Sequence, residues 1–155
     1  MKTLKIGIAG LGNVGAGLVA RLVEQEKLRL GGRIEIAGIS ARNRSRKRSI
    51  SIDDYPWFDD PIALAEDENV EVFVELMGGS DGPAKLAVEA ALKLGKPVVT
   101  ANKALIAEYG ETLAALAEAH KTPLLFEAAV AGAIPVVRAV RESLAGTEII
   151  SIRGI

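Results

Sequence analysis

The sequence predicts a doubly wound α/β domain with a mostly parallel sheet. Short stretches rich in β-branched residues alternate with segments of helical period, and each stretch ends at a turn signal. Since a helix between two strands returns the chain to the same edge of the sheet, the strands are expected to be parallel and covered on both faces. Ligands of such a sheet bind beyond the carboxyl ends of the strands, where the strand order reverses.

Six strands are predicted from short apolar stretches: Leu4–Ala9, Arg33–Ser40, Val70–Leu76, Pro97–Thr100, Pro123–Phe126 and Glu148–Arg153. Four helices are predicted between them: Ala16–Lys27, Pro83–Leu94, Thr112–His120 and Pro135–Leu144. Proline at the start of the second and fourth helices, and glycine just beyond their ends, support these bounds. The polar, densely charged segment Ala41–Asp60 is expected to be irregular.

Length, charge and the lack of cysteine restrict the function. The 155 residues fit one globular domain, and their net charge of −1 provides no global field for nucleic acid or an anionic membrane. Because there is no cysteine, disulfides, thiolate metal sites and cysteine-based aldehyde dehydrogenation are excluded. No apolar run reaches the roughly 20 residues of a membrane span, and the start does not resemble a signal peptide. We therefore expect a cytoplasmic protein without nucleic-acid or membrane partners.

A glycine-rich turn joins the first predicted strand to the first helix and consists of Gly10, Leu11, Gly12, Asn13, Val14 and Gly15. In this G-x-G-x-x-G pattern the first glycine permits the tight turn, the second lets the backbone approach a pyrophosphate, and the third allows close helix packing. The helix N-terminus adds N–H groups and the positive end of its dipole. Glycines that merely tighten the turn are the alternative, but the strand–turn–helix context favours a Rossmann-type NAD(P)-binding fold.

The second predicted strand ends without the acidic residue that NAD-specific domains usually carry there. Instead, the loop after it holds five cations within seven residues and no carboxylate. Because arginine offers a planar fork of donors to a phosphate, we expect NADP(H) to be preferred over NAD(H), with Arg42 as the leading contact and Arg44 as the second. For Arg46, Lys47 and Arg48 taken individually, a solvated charged loop is the preferred interpretation.

Two further turns at the ligand side of the sheet carry candidate residues. The glycine-rich crossing after strand 70–76 includes Gly79 and Ser80 and can cover a cofactor, although a flexible connection capped by Asp81 or Gly82 fits the spacing equally well. Strand 97–100 leads into Lys103, which could donate to a carbonyl or hydroxyl oxygen if it were partly buried. Most lysines simply face water, and this is the alternative for Lys103.

Glu127 comes after strand 123–126 and has two possible roles. Its carboxylate could cap backbone amides of the next helix, or it could hold a hard cation together with loop carbonyls. The local chemistry favours the cap. His120, the only histidine, is expected at a helix C-terminus, where it interacts favourably with the dipole.

Four segments follow one another at the spacing seen in homoserine dehydrogenases: GLGNVG, VELMGG, VVTANKAL and FEAAVAGAIPVVRAVRESLAG. The chain resembles that family's NAD(P)-binding domain over essentially its whole length. The resemblance implies an oxidoreductase acting on a CH–OH group. Its reaction would be the NAD(P)-dependent interconversion of L-homoserine and L-aspartate 4-semialdehyde, in the biosynthesis of threonine, methionine and isoleucine.

The resemblance also implies roles for particular residues. The turn at residues 10–15 would hold the pyrophosphate, Arg42 would contact the adenosine 2′-phosphate, and Gly79 with Ser80 would lie near the nicotinamide half. Lys103 would be catalytic and would reach both the cofactor and the reacting oxygen.

A monovalent-cation site, for Na⁺ or K⁺, is a further implication of the resemblance. Its ligands would be the carboxylate of Glu127 and the backbone carbonyls of Val130, Gly132 and Ile134. In the family such a site braces the junction between domains.

Homoserine dehydrogenases continue beyond the position that Ile155 occupies in this sequence. The resemblance implies a substrate-binding, dimer-forming domain there, with an aspartate, a second lysine and most contacts to the small-molecule substrate. We therefore expect residues 1–155 to form one domain that binds cofactor without useful turnover, as part of a homo-oligomeric enzyme. The competing interpretations are a non-catalytic nucleotide sensor, an RNA-binding patch at residues 42–48 and a related semialdehyde dehydrogenase.

Overall fold

A six-stranded sheet forms the centre of the structure, a computed structural model that describes residues 3–24, 32–132 and 134–153. Its strands are β1 (Thr3–Ala9), β2 (Arg33–Ser40), β3 (Trp57–Phe58), β4 (Val72–Glu75), β5 (Val98–Thr100) and β6 (Leu124–Leu125). Across the sheet they run in the order β3-β2-β1-β4-β5-β6, and the five pairings between them are parallel. The order reverses between β1 and β4, so the predicted doubly wound α/β fold is confirmed, with its ligand crevice expected beyond the ends of these two strands.

The described helices are α1 (Asn13–Val23), α2 (Pro61–Glu66), α3 (Pro83–Lys93), α4 (Lys103–Ala119) and α5 (Val136–Arg138). A 3-10 turn, Glu127–Ala129, precedes α5, and a π-helical segment, Ala139–Ser143, continues it. Local signals fix where helices begin. Pro61 opens α2 while the Asp60 side chain accepts the Ile62 N–H at 2.9 Å, and Asn102 caps α4 by accepting the Leu105 N–H at 3.1 Å.

Side chains from the two faces of the sheet fill two separate cores. Because successive residues of a strand point to opposite faces, Ile8 packs in one core, where α1 contributes Val19 and Leu22, and Ala9 packs in the other. Buried residues of α2, α3 and α4 complete that second core. Burial of each large aliphatic side chain contributes roughly 1.5–3 kcal/mol. Helices thus cover both faces and leave the carboxyl edge of the sheet as the place for a site.

The sequence predicts the bounds of the main strands closely. The bounds of β2 agree residue for residue, and those of β1, β4, β5 and β6 differ from the prediction by at most two residues at either end. Helix α3 and the helical segment 136–143 also lie where they are predicted. Helix α1 begins three residues earlier than predicted, at Asn13, and the predicted last residues of this helix, 25–27, lie outside the described part of the chain.

The predicted strand Glu148–Arg153 is wrong. The described residues 148–153 form no strand, and the side chains of Ile150 and Ile152 are 92% and 69% exposed. Alternating isoleucines are typical of a strand, but a strand also needs a neighbour with which to exchange backbone hydrogen bonds. Within the described chain the sheet ends at β6, so this segment has no such neighbour.

The sequence prediction missed β3, α2 and the first half of α4. Strand β3 lies inside the segment expected to be irregular, and its two residues are too few to show a period. Helix α4 begins at Lys103, nine residues before the predicted start. Gly110 does not end it, because a glycine inside a helix costs only about 1 kcal/mol and the buried Leu105 and Leu113 offset that cost.

Candidate functional site

The glycine turn after β1 is held against the neighbouring strands by close backbone contacts. The Gly10 N–H donates to the Ser40 carbonyl at 2.8 Å, and the Leu76 N–H donates to the Ala9 carbonyl at 2.7 Å. Gly10 has φ +102°, and a Cβ placed on it would lie 2.4 Å from the carbonyl oxygen of Leu76. Both the positive φ and the lack of room for a Cβ therefore require glycine at this position.

Gly12 and Gly15 serve the turn in different ways. A Cβ on Gly15 would lie 1.9 Å from the Gly10 carbonyl oxygen, so Gly15 allows α1 to pack closely on the turn. A Cβ on Gly12 would meet no described atom within 4 Å. Gly12 is also the N-cap of α1, and no side chain of the described residues caps that helix. The first-turn N–H groups of α1 are therefore presented at an open, positively polarised surface.

A groove of about 310 Å³ separates the start of α1 from the basic loop after β2. The residues lining it are Leu11, Gly12, Asn13, Ala16, Gly17, Arg46, Lys47, Arg48 and Ser49. The basic loop thus lies opposite the open side of the glycine turn, and its positive charge adds to the dipole of α1. An anion in this groove would meet N–H groups on one wall and positive side chains on the other.

Arg48 organises this basic loop from the inside. Its guanidinium donates to the carbonyls of Asn43, Arg44 and Arg46 at 2.6, 3.1 and 2.8 Å, and its Nε is buried without a partner among the described residues. The Asn43 side chain accepts from both the backbone N–H and the hydroxyl of Ser45. Arg48 is half-buried, and its fork of donors gathers carbonyls of the bent loop, an arrangement that the interpretation as a solvated charged loop does not include.

Arg42 and Arg44 lie outside the described lining of the groove. Both are exposed, and the guanidinium of Arg44 stacks over the Trp57 ring, 5.6 Å from its centroid. Arg42 lies just beyond the end of β2, two residues after Ser40, whose carbonyl accepts the Gly10 N–H. The roles of these two arginines as 2′-phosphate contacts stay predictions.

A buried carboxylate lies between the glycine turn and the next two turns of the ligand edge. Glu75 is the last residue of β4 and has no exposed surface. Its oxygens accept the Met77 N–H at 2.7 Å, the Thr100 hydroxyl at 2.5 Å and the Asn102 side-chain amide at 3.5 Å. Burial raises the pKa of Glu75, and the three hydrogen bonds oppose this rise by stabilising the charged form.

The glycine-rich loop at residues 78–82 is attached to α4 at two points. The side-chain amide of Asn102 donates to the Gly79 carbonyl at 2.7 Å. Farther along α4, Glu108 accepts a hydrogen bond from Ser80, and this bond lowers the pKa of the Glu108 carboxyl. Gly82, with φ +68°, is the N-cap of α3, as one of the two sequence interpretations predicts. The loop is therefore docked on α4 rather than extended into solvent.

Lys103 is the first residue of α4 and lies next to this docked loop. The Asn102 that precedes it both caps the helix and holds Gly79, so Lys103 starts from a well-fixed backbone. Its side chain is exposed, and the partial burial that the sequence analysis considered is not found. The structure thus places Lys103 beside the ligand edge of the sheet, where substrate or cofactor could still cover it.

Glu127 caps the helical segment after β6. Its two carboxylate oxygens accept the N–H groups of Val137 and Arg138 at 3.0 and 2.8 Å, as the local chemistry predicts. The Ile134 carbonyl accepts the Val136 N–H at 2.8 Å. His120 is the C-cap of α4, the position predicted for it.

The residues that the resemblance implies as cation ligands lie near one another along the chain. Val130 ends the 3-10 turn and donates its N–H to the Glu127 carbonyl. Gly132 has φ +62°. The assignment of these residues and Ile134 to a cation site therefore stays a prediction.

The family model "Homoserine dehydrogenase, NAD binding domain" matches residues 10–127 of this chain. The chain belongs to this family. The match begins in the glycine turn of this homoserine dehydrogenase NAD-binding domain and ends at Glu127. A homoserine dehydrogenase of Neisseria gonorrhoeae is 44% identical to it over 100% of the chain and 36% of the relative.

Solved structures of homoserine dehydrogenases share the fold of this domain. One from Thiobacillus denitrificans superposes with a TM-score of 0.79 at 35% identity, over 94% of this chain and 34% of its own. A hyperthermophilic archaeal homoserine dehydrogenase in complex with NADPH gives a TM-score of 0.78 at 26% identity, over 94% of this chain and 50% of its own. The chain thus spans about a third of the length of the curated relative and a third to a half of the solved structures.

The sequence analysis did not identify two groups of residues at this site. The first is the network of Glu75, Thr100 and Asn102, whose only sequence signal is an acidic residue inside an apolar strand. The second is the part of the basic loop that lines the groove, for which clustering of cations beside a glycine turn was the available signal.

Among the described residues, no helix is both long and apolar enough to cross a membrane.

Proposed function

We propose that this chain is the NADP(H)-binding portion of a homoserine dehydrogenase. The observation that carries the proposal is the open, uncapped start of α1 at Gly12, which lies across the groove from the basic loop with Arg46 and Lys47. A pyrophosphate fits this arrangement, because its charge would be met by backbone N–H groups, by the helix dipole and by basic side chains. Family membership and the neighbour solved with NADPH support the same assignment.

In this proposal the turn formed by residues 10–15 holds the pyrophosphate, and the docked loop with Gly79 and Ser80 lies along the nicotinamide half. The bound cofactor would supply hydride chemistry at the nicotinamide C4. Lys103 would donate to the oxygen of L-homoserine or L-aspartate 4-semialdehyde and assist proton transfer on it. Its exposed position at the start of α4 leaves room for the substrate oxygen to approach.

The preference for NADP(H) over NAD(H) is part of the proposal. Arg42 and Arg44 come after β2 without an intervening carboxylate, and Arg46 and Lys47 line the groove nearby. An adenosine 2′-phosphate would thus find cations where an NAD-specific domain places an acid. Arg42 stays the leading contact, because it lies closest in sequence to the end of β2.

Arg42→Ala is expected to weaken NADPH binding about tenfold, the typical loss of one hydrogen bond to a charged group, and to leave NADH binding unchanged. Titration calorimetry with both cofactors measures the effect. Arg141→Ala serves as the control, because it removes an exposed arginine near β6, at the other side of the sheet from β3. Equal affinity for the two cofactors in the unmodified protein would contradict the preference.

The 155 residues alone are expected to bind NADPH but not to oxidise homoserine measurably. They match about a third of the length of a complete relative, and catalysis requires both reactants to be held in contact geometry. NADPH binding can be monitored by its fluorescence, and homoserine oxidation by NADPH formation, with a complete homoserine dehydrogenase as the positive control. Sustained turnover by residues 1–155 would overturn this part of the proposal.

The monovalent-cation site is also proposed rather than observed. It would use Glu127 and the carbonyls of Val130, Gly132 and Ile134. Both oxygens of Glu127 already accept backbone N–H groups, so a cation would have to share this carboxylate with the helix cap. Each carboxylate oxygen has a second lone pair for such sharing.

A further inference from the structure

Glu75 is a carboxylate in a place where an apolar residue would be expected. It has no exposed surface, and its register partners are Ala9 of β1 and Thr100 of β5, on the two sides of β4. Removing a carboxylate from water is costly unless hydrogen bonds replace the lost hydration. A residue of this kind at the centre of the sheet therefore needs an explanation in the contacts that it makes.

The directions of the hydrogen bonds around Glu75 are determined by chemistry. An ionised carboxylate only accepts hydrogen bonds, so the Thr100 hydroxyl donates to it at 2.5 Å. The same hydroxyl then accepts the Asn102 backbone N–H at 3.0 Å. The Met77 N–H donates to the other carboxylate oxygen at 2.7 Å. A glutamine could not reproduce this pattern, because it has one acceptor oxygen where the carboxylate uses two.

Two of these donors connect Glu75 to different parts of the cofactor site. The Met77 nitrogen lies where the glycine turn packs, since a Cβ on Gly10 would be 2.7 Å from it. The Asn102 side chain holds the Gly79 carbonyl and caps the first turn of α4, the turn that begins with Lys103. Through these contacts, one buried carboxylate reaches the glycine turn, the loop at residues 78–82 and the start of α4.

We propose that Glu75 is a positioning residue, whose buried carboxylate fixes the glycine turn, the docked loop and the start of α4 relative to one another. Lys103 and the nicotinamide-side loop would then keep one common geometry before any ligand binds. This inference rests on the proposed function for its catalytic consequence. The coupling of the three segments, however, belongs to the protein without ligand and can be measured there.

Two changes at Thr100 separate the hydrogen bond from the packing. Thr100→Val keeps the shape and the β-branch of this buried strand residue but removes the hydroxyl that links Glu75 to Asn102. Thr100→Ser keeps the hydroxyl and is the matched control. Glu75→Gln tests the carboxylate itself and provides a second variant if Thr100→Val does not fold.

In the ligand-free 155-residue protein, amide hydrogen exchange at residues 76–82 is expected to be about tenfold faster in Thr100→Val and Glu75→Gln, the effect of losing one buried hydrogen bond. Exchange at residues 16–23 of α1 in both variants, and exchange at residues 76–82 in Thr100→Ser, should stay at the level of the unmodified protein. Exchange at residues 76–82 that is unchanged in both variants would overturn the inference. An equal rise in exchange throughout the chain would overturn it as well.

In a complete enzyme that carries these residues, kcat per folded molecule is expected to fall about tenfold in Thr100→Val, while KM for NADPH changes less than about threefold. A merely structural role would lower the folded fraction and leave kcat of the folded molecules unchanged, and that outcome would overturn the inference. Failure of the unmodified protein to bind NADPH would instead refute the proposed function. The hydrogen-exchange comparison would still decide whether Glu75 couples the three segments.

Discussion

Replacing Lys103 by alanine is expected to lower kcat of the complete enzyme about 10²- to 10⁴-fold, the range typical of a positioned acid–base group. The affinity for NADPH should change less than about threefold, because the phosphates are proposed to bind at the glycine turn, at the start of a different helix. The structure supports this separation. Lys103 begins α4, whereas the groove with Gly12 lies at the start of α1 and beside the basic loop. Steady-state kinetics together with an NADPH titration measure the two effects.

Lys93→Ala provides the control for Lys103→Ala. Lys93 is an exposed lysine at the end of α3 and pairs only loosely with Glu89, at 3.8 Å. Its removal should leave kcat unchanged. If Lys103→Ala kept its turnover, or lost turnover and NADPH affinity in proportion, the catalytic role would be wrong. The first of these outcomes would favour a non-catalytic nucleotide sensor built on the same fold.

Gly12→Asp is expected to weaken NADPH binding by more than about 100-fold while the domain stays folded, since it places a negative charge directly against a pyrophosphate. Gly12 has φ −75°, which any residue adopts, and no described atom would lie within 4 Å of its Cβ. The new carboxylate could also cap α1 and occupy the N–H groups that the phosphates need. Thermal unfolding and an NADPH titration of the same sample separate binding from stability.

Gly15→Ala is the counterpart of this change in the same turn. Its Cβ would lie 1.9 Å from the Gly10 carbonyl oxygen, so α1 would have to move away from the turn. We expect a stability loss of about 1–3 kcal/mol from this overpacking, with weaker binding as its consequence. A Gly12→Asp protein that binds NADPH normally, or that unfolds as readily as Gly15→Ala, would contradict the assignment of the turn.

The features that the sequence predicts well are those encoded in neighbouring residues. The period of the apolar residues determines β2 to the residue, and the glycine turn is identified because a strand precedes it and a helix comes after it. The C-cap at His120 depends on the same local chemistry. Each of these predictions needed only residues within a few positions of the feature.

The features that the sequence does not predict depend on contacts that form only when the chain folds. The two side-chain partners of Glu75 are 25 and 27 residues away, and only the pairing of β4 with β5 brings Thr100 and Asn102 to it. Arg48 is close in sequence to its carbonyl partners, but they converge only because the loop folds back on it. A pattern of residue types contains neither the strand pairing nor the loop path.

Both outermost strands of the described sheet are only two residues long, and this affects how the protein behaves at high concentration. Strands β3 and β6 offer few unpaired backbone groups at the two edges, and the long strand β1 is enclosed between β2 and β4. Edge-to-edge addition of strands from other molecules is the usual first step of β-type aggregation. At β3 and β6 there is thus little edge to template such addition, even though the centre of the sheet is rich in valine and isoleucine.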